Sequence, residues 1–328
     1  MDRRGFLLIS LAGVVAAPLV VDAQPVRATY RIGVLEVVPR AANAENLGAF
    51  RHGLRELGYV EGQNLVIEYR SADGRTERFP DLANELVRLK VDAIVTRGTP
   101  AALAAKRATA TIPIVMASSG DPAVAGIVAS LARPGGNITG FHTMAPPEIG
   151  GKRLQLLKEA VPGVSRVGIL WNSIDIYPRF LVRDAERVAG VMGLQLSSFE
   201  IRGPETFDRV FEAALLAKID AFVAVEDYLT FNDRARVVDF AAMSRLPAIY
   251  GLREFVDAGG LMSYGTDRRD LFRRSAVYIH RILRGASPAD LPVEAPTKFE
   301  LAINLKAARA LGLTIPPSLL RRADYILQ

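Results

Sequence analysis

The stretch that decides the fold is VDAIVTRGTPAALAAK, residues 91–106. Ala93–Thr96 is a short apolar run bounded by turn residues, which reads as a buried strand. Gly98, Thr99 and Pro100 then turn the chain, and an alanine-rich segment follows with proline at its helical start. A strand that feeds directly into a helix is the building unit of an α/β sheet. The first amides of such a helix have no intrahelical partner, so the corner suits a small anion. There is no phosphate-loop lysine at this corner and no evident nucleophile.

The same unit recurs on both sides. RIGVLEVV (31–38), NLVIEYRSA (64–72), DAIVT (92–96) and IPIVMAS (112–118) read as strands. Between them lie helical patterns at about 46–57, 79–89 and 100–108, the first two with leucines aligned on one face. Asp121-Pro122 is expected to begin a further helix, with aspartate as N-cap and proline at the first helical position. The order then restarts. RVGILWN (166–172) matches RIGVLEV, LQLSSFEIRG (194–203) matches NLVIEYRSADG, DAFVAV (220–225) matches DAIVT, and LPAIYG (246–251) sits where IPIVMA sat. The matched positions are separated by about a domain's length, far beyond a solenoid repeat. The expected fold is therefore α/β, with two similar doubly wound parallel-sheet lobes and a ligand cleft between them. In such sheets ligands sit beyond the carboxyl ends of the strands, and interfaces between domains favour small-molecule sites.

Composition narrows the function. The chain of 328 residues carries a formal charge of +6, with its charges dispersed. No basic stripe interleaved with aromatics is present, which argues against nucleic acid. Cysteine is absent, which excludes disulfides, thiolate zinc sites and thiol catalysis. The three histidines (His52, His142, His280) form no metal-ligand pair, so no metal and no cofactor is expected. Phosphate-loop, dinucleotide, nucleophile-elbow and zinc-protease motifs are all missing. This lowers the enzyme reading, in which Asp121 or Asp227 would serve as base.

The N-terminus reads as an export signal, residues 1–23. Arg3 and Arg4 precede an apolar run, Phe6–Val21, and Val21 and Ala23 offer small residues for cleavage before Gln24. Arg3-Arg4-Gly5-Phe6-Leu7 also fits a twin-arginine signal. The mature chain is expected to be a periplasmic monomer that does not insert into the membrane. Its charge stays +6, because residues 1–23 hold two basic side chains (Arg3, Arg4) and two acidic ones (Asp2, Asp22).

Polar groups at strand ends are the candidate contacts. Thr99 reads either as a ligand contact or as a helix cap, and the two roles are compatible. Asp121 reads as a partner for a ligand ammonium or as an N-cap. Trp171 and Asn172 end the first strand of the second half, where Trp171 either stacks on a ligand or packs in the core. Glu226-Asp227-Tyr228 is the counterpart of Arg97-Gly98-Thr99. Tyr250-Gly251 and Tyr264-Gly265 read as cleft lining or as turn chemistry.

GTPAALAAK (98–106), SSGDPAVAGIVASLARPGGNITG (118–140), LPAIYGLREFVDAGGLMSYG (246–265) and PTKFELAINLKAARALGLTIPPSLLRRAD (296–324) resemble the substrate-binding proteins of ABC transporters, in the group of tryptophan/tyrosine uptake components. The resemblance spans about 30–328. It implies a type I periplasmic-binding-protein fold with a three-segment hinge, uptake without catalysis, and a partner permease with its ATPase. It also implies a lobe one of 30–143 plus 265–287 and a lobe two of 144–264 plus 288–328. The ligand contacts it implies are Glu36, Gly98, Thr99, Ser118, Asp121, Asn172, Asp227 and Tyr250. An aromatic amino acid is the implied ligand, and a sensor that reports to a membrane receptor is the alternative role.

Overall fold

The apolar run at 31–38 gives β1 (Tyr30–Glu36), whose last five residues are buried. Around it lie β2 (Leu65–Ser71), β3 (Ala93–Arg97), β4 (Ile114–Ser118) and β5 (Ile138–Gly140), all parallel, in the order β2-β1-β3-β4-β5. β3 and β4 are buried along their whole length, as strands covered on both faces must be. The computed structural model describes residues 29–146 and 148–328. The export-signal reading of residues 1–23 therefore lies outside the described residues.

The second sheet repeats the first. β6 (Arg166–Asn172), β7 (Gln195–Ile201), β8 (Ala221–Ala224), β9 (Ala248–Tyr250) and β10 (Met262–Thr266) run in the order β7-β6-β8-β9-β10. This is the strand order of the first sheet, position for position. β11 (Phe299–Asn304) then adds antiparallel to β10, and β12 (Tyr325–Leu327) adds parallel to β11. In both lobes the order reverses beside the first strand, and switch points of this kind are where open α/β sheets commonly form a crevice.

The helices show how the lobes are tied. α1 (Ala44–Glu56) covers the first sheet, and its partner α10 (Arg268–Leu283) arrives only after β10 of the second. Reciprocally, α4 (Ile149–Ala160) follows β5 of the first sheet and packs on α5 (Ile176–Ala189) of the second. Glycine permits both approaches. A Cβ on Gly53 would lie 2.7 Å from the Arg273 carbonyl oxygen, and one on Gly150 would lie 2.2 Å from that of Leu181. Among the described residues no helix is long and apolar enough to cross a membrane.

Two local readings change. Asp121 does not open a helix. Its Oδ1 accepts from the amides of Ala123 and Val124, and Gly126 at φ +65° then ends the turn. Residues 291–294 lie with the first sheet rather than the second. Thr139 Oγ1 donates to the Leu291 carbonyl, and Glu294 N donates to the Gly140 carbonyl, so the third crossing follows Glu294.

Candidate functional site

A cavity of about 290 Å³ lies between the lobes at the carboxyl ends of β3, β4 and β8. Its size sits at the lower edge of the ~300–1,000 Å³ typical of small-molecule sites. On the first lobe it is lined by Gly98, Thr99 and Pro100, which begin α3 (Thr99–Ala108), and by Ser118, Ser119 and Gly120 after β4. On the second lobe it is lined by Asp175 and Tyr177 at the start of α5, and by Glu226, Asp227 and Tyr228 after β8. Val37, Phe79, Phe231 and Leu252 supply an apolar wall drawn from both lobes and belong to one continuous hydrophobic cluster.

The first-lobe corner leaves helix amides without a side-chain cap. Gly98 takes φ +85°, a conformation only glycine adopts without strain, and it stands as N-cap with no side-chain capping bond. Thr99 is therefore not the cap. Its Oγ1 accepts from Gly120 N (3.2 Å) and lies 3.3 Å from Ser119 Oγ, so it ties the β3 corner to the β4 corner. The amides of Thr99 and Ala101 have no intrahelical partner and, with the helix dipole, favour a negative group.

The facing wall is acidic. Asp227 N-caps α7 (Tyr228–Asn232), accepting from Thr230 N and Thr230 Oγ1, both at 2.8 Å. Asn172 donates its side-chain amide to the other Asp227 oxygen. Burial pushes the Asp227 carboxyl above the usual carboxylate range, and these hydrogen bonds oppose that shift. Asp175 caps α5 through Tyr177 N (3.0 Å). The Tyr177 hydroxyl accepts from Ala145 N (2.8 Å) at the first crossing, and burial raises its pKa. Each carboxylate keeps unused acceptor capacity toward the cavity.

Behind this wall Arg153 of α4 is 1% exposed and holds Glu226 through two bonds, 2.5 and 2.8 Å, while its Nε donates to the Tyr264 carbonyl (2.8 Å). Burial works against the Arg153 charge, and Glu226 outweighs it, so the guanidinium pKa is raised. Gly251 makes room for the pair: a Cβ there would lie 2.0 Å from Glu226 Oε2.

Ion pairs join the lobes beside the cavity. Glu254 of α9 (Arg253–Asp257) accepts from Arg97 (3.1 Å) and from Arg268 (2.8 Å). Burial pushes Glu254 up, but Arg268 and Arg97 outweigh it and hold its carboxyl down at about 2. Arg253 also meets Glu45 across the cleft, and Arg269 meets Glu300 at 2.7 Å.

Of the sequence-predicted contacts, Gly98, Thr99, Ser118 and Asp227 line one cavity. The other four stand off its wall. Glu36 is fully buried, accepting from Val37 N (2.9 Å) and Asn43 Nδ2 (3.0 Å). Burial raises its carboxyl pKa, against the pull of Arg97. Asp121 caps its turn. Asn172 orients Asp227. Tyr250 is 1% exposed, with its ring stacked on Phe255 at 4.9 Å. Trp171 packs in the second-lobe core, its indole donating to Ser198 Oγ (2.7 Å). The sequence reading missed Asp175, Tyr177, Phe231 and Arg268. The internal repeat carried a signal for the first two, since the loop after β6 is the counterpart of the loop after β1. Among the described residues no group of acidic and histidine side chains is placed to hold a metal.

Comparison with known proteins agrees with this architecture. The chain is 28% identical over 286 residues to the tyrosine-binding protein of Clostridioides difficile strain R20291, covering 86% of this chain and 81% of the relative. It superposes on an ABC domain in complex with L-Trp from Streptococcus pneumonia with a TM-score of 0.77 at 29% identity, covering 92% and 100% of the two chains. The ligand-free, open structure of a substrate binding protein with adhesive properties from Clostridium difficile gives a TM-score of 0.69 at 25% identity, covering 91% and 99%. Residues 31–327 match the family described as ABC transporter substrate binding protein. With two like sheets closed over one small cavity, the chain is a member of that family.

Proposed function

We propose that the protein captures a small carboxylate-bearing ligand, an amino acid with an aromatic side chain, by closing its two lobes over it. The observation that carries this reading is the pairing of opposite chemistries across one cavity. The partnerless amides of α3 face it from one lobe, and Asp175 and Asp227 face it from the other. That arrangement complements a zwitterion, and the apolar wall of Val37, Phe79, Phe231 and Leu252 suits the side chain. Relatives that bind tyrosine and L-Trp support the same class. The bound protein would deliver its cargo to a membrane permease driven by an ATPase. It would act as a monomer outside the cytoplasm, after export directed by residues 1–23. In the enzyme alternative Asp227 is the candidate base that lines the cavity, while Asp121 caps a turn off its wall.

The test is a thermal-shift screen of the purified protein against amino acids, other carboxylates and aromatic acids. A ligand at about 100 times its Kd stabilises the native state by about 2.7 kcal/mol, which raises the midpoint by several degrees. Aromatic L-amino acids are expected to give that rise. Turnover of any of these compounds, without a shift from the rest, would replace binding by catalysis.

A further inference from the structure

Phe231 is surrounded by three guanidinium groups. Those of Arg97, Arg234 and Arg268 lie 5.0, 4.9 and 4.8 Å from its ring centroid. Arg97 and Arg268 also line the cavity. A single carboxylate oxygen, Glu254 Oε1, accepts from both. The second acid near Arg97, Glu36, stands 3.6 Å away and is spent on Asn43 and on the backbone. Arg234 donates to the Phe231 carbonyl (3.1 Å). Arg268 Nε is buried and, among the described residues, has no hydrogen-bond partner. Positive charge at this end of the cavity therefore exceeds the negative charge beside it. A buried cation without full pairing is costly until a counter-ion arrives.

We propose that the ligand itself supplies that counter-ion: the cavity takes an amino acid whose apolar or aromatic side chain ends in a second carboxylate, which docks on Arg268. This deepens the amino-acid reading above and rests on it. The α-carboxylate sits on the α3 corner and the ammonium faces Asp175 and Asp227. The side chain runs along Val37, Phe79 and Leu252 and ends against the guanidinium fork. A planar carboxylate meets such a fork with two parallel bonds, which an ammonium side chain cannot reproduce. Arg268 thus favours a carboxylated side chain over the neutral ones of phenylalanine and tyrosine, which the rest of the cavity still accepts.

The experiment is calorimetric titration of the purified protein with L-phenylalanine, 4-carboxy-L-phenylalanine and terephthalate. In the unaltered protein the carboxylated amino acid is expected to bind at least about tenfold more tightly than phenylalanine, the scale of one charge-assisted bond to a buried donor. In Arg268→Gln the ratio of the two affinities is expected to fall to within about twofold, since the loss of the Glu254 contact acts on both ligands alike and cancels in that ratio. Arg268→Lys, which keeps the charge but loses the fork, is expected to retain part of the preference. Should Arg268→Gln fail to fold, the lysine variant and the comparison in the unaltered protein carry the decision. Phenylalanine binding as tightly as its carboxylated analogue in the unaltered protein overturns the proposal and leaves the amino-acid reading standing. Terephthalate binding that is lost in Arg268→Gln, with neither amino acid bound, upholds the anion end and overturns the amino-acid reading. Binding of neither carboxylated probe overturns the proposal.

Discussion

Replacing Arg153 by methionine is expected to destabilise the second lobe by about 3–5 kcal/mol, the cost of leaving a buried charge without its partner. Arg153 is enclosed at 1% exposure, each of its three guanidinium nitrogens donates a bond, two to Glu226 and one to the Tyr264 carbonyl, and Gly251 packs closely against the carboxylate. Methionine fills much the same volume but offers Glu226 nothing. The pair itself is not what makes the lobe stable, because its desolvation offsets most of its attraction. The double variant Arg153→Met, Glu226→Leu is therefore expected to recover most of the loss. Trp171 is the only tryptophan of the chain and lies in the core of the same lobe, so its fluorescence during urea unfolding reads this lobe directly. A single variant that unfolds within about 1 kcal/mol of the unaltered protein would show that the pair is not uncompensated when broken.

Thr99→Phe is expected to weaken ligand binding by at least about 100-fold, equivalent to about 2.7 kcal/mol, while stability changes by less than about 1 kcal/mol. Thr99 is the first residue of α3, half-buried, and lines the cavity. It caps nothing, so the helix does not depend on its hydroxyl. A phenyl ring there occupies much of a cavity of about 290 Å³ and covers the amides that would meet the carboxylate. The loss of the Ser119 and Gly120 contacts costs little, because both are long, 3.3 and 3.2 Å. Thr99→Ser keeps the hydroxyl and is expected to bind within about threefold of the unaltered protein. Calorimetry and thermal unfolding on the same samples separate the two effects. Undiminished affinity in Thr99→Phe would remove the α3 corner from the site.

The internal repeat was legible because it is written in local signals. Alternating apolar runs and glycine or proline turns fix strand and helix, and matched order in the two halves gives matched sheets. That the Gly98-Thr99 and Asp227 corners line a cavity was legible for the same reason, since crevices in parallel sheets form at the strand ends. What failed depends on direction. Tyr250 ends a strand, yet its ring turns into the core, and successive residues of a strand face opposite ways. Glu36 ends β1 and turns back on Asn43. Asp121 carries the signal of a helix cap, but Gly126 breaks the segment after one turn. Arg268 was invisible because it reaches the cavity only after the chain recrosses between lobes. Its neighbours, RRDLFRR (268–274), distinguish no one arginine from another.

The central claim is that one ligand is gripped from both lobes at once. Hydrogen exchange, followed during titration with the tightest-binding amino acid from the screen, tests it most directly. Slowed exchange is expected at 98–102 and 118–121 of the first lobe and at 175–178 and 226–231 of the second, all with one midpoint. Protection confined to a single lobe, or centred instead on the groove beside Trp171 and Arg202, would contradict it.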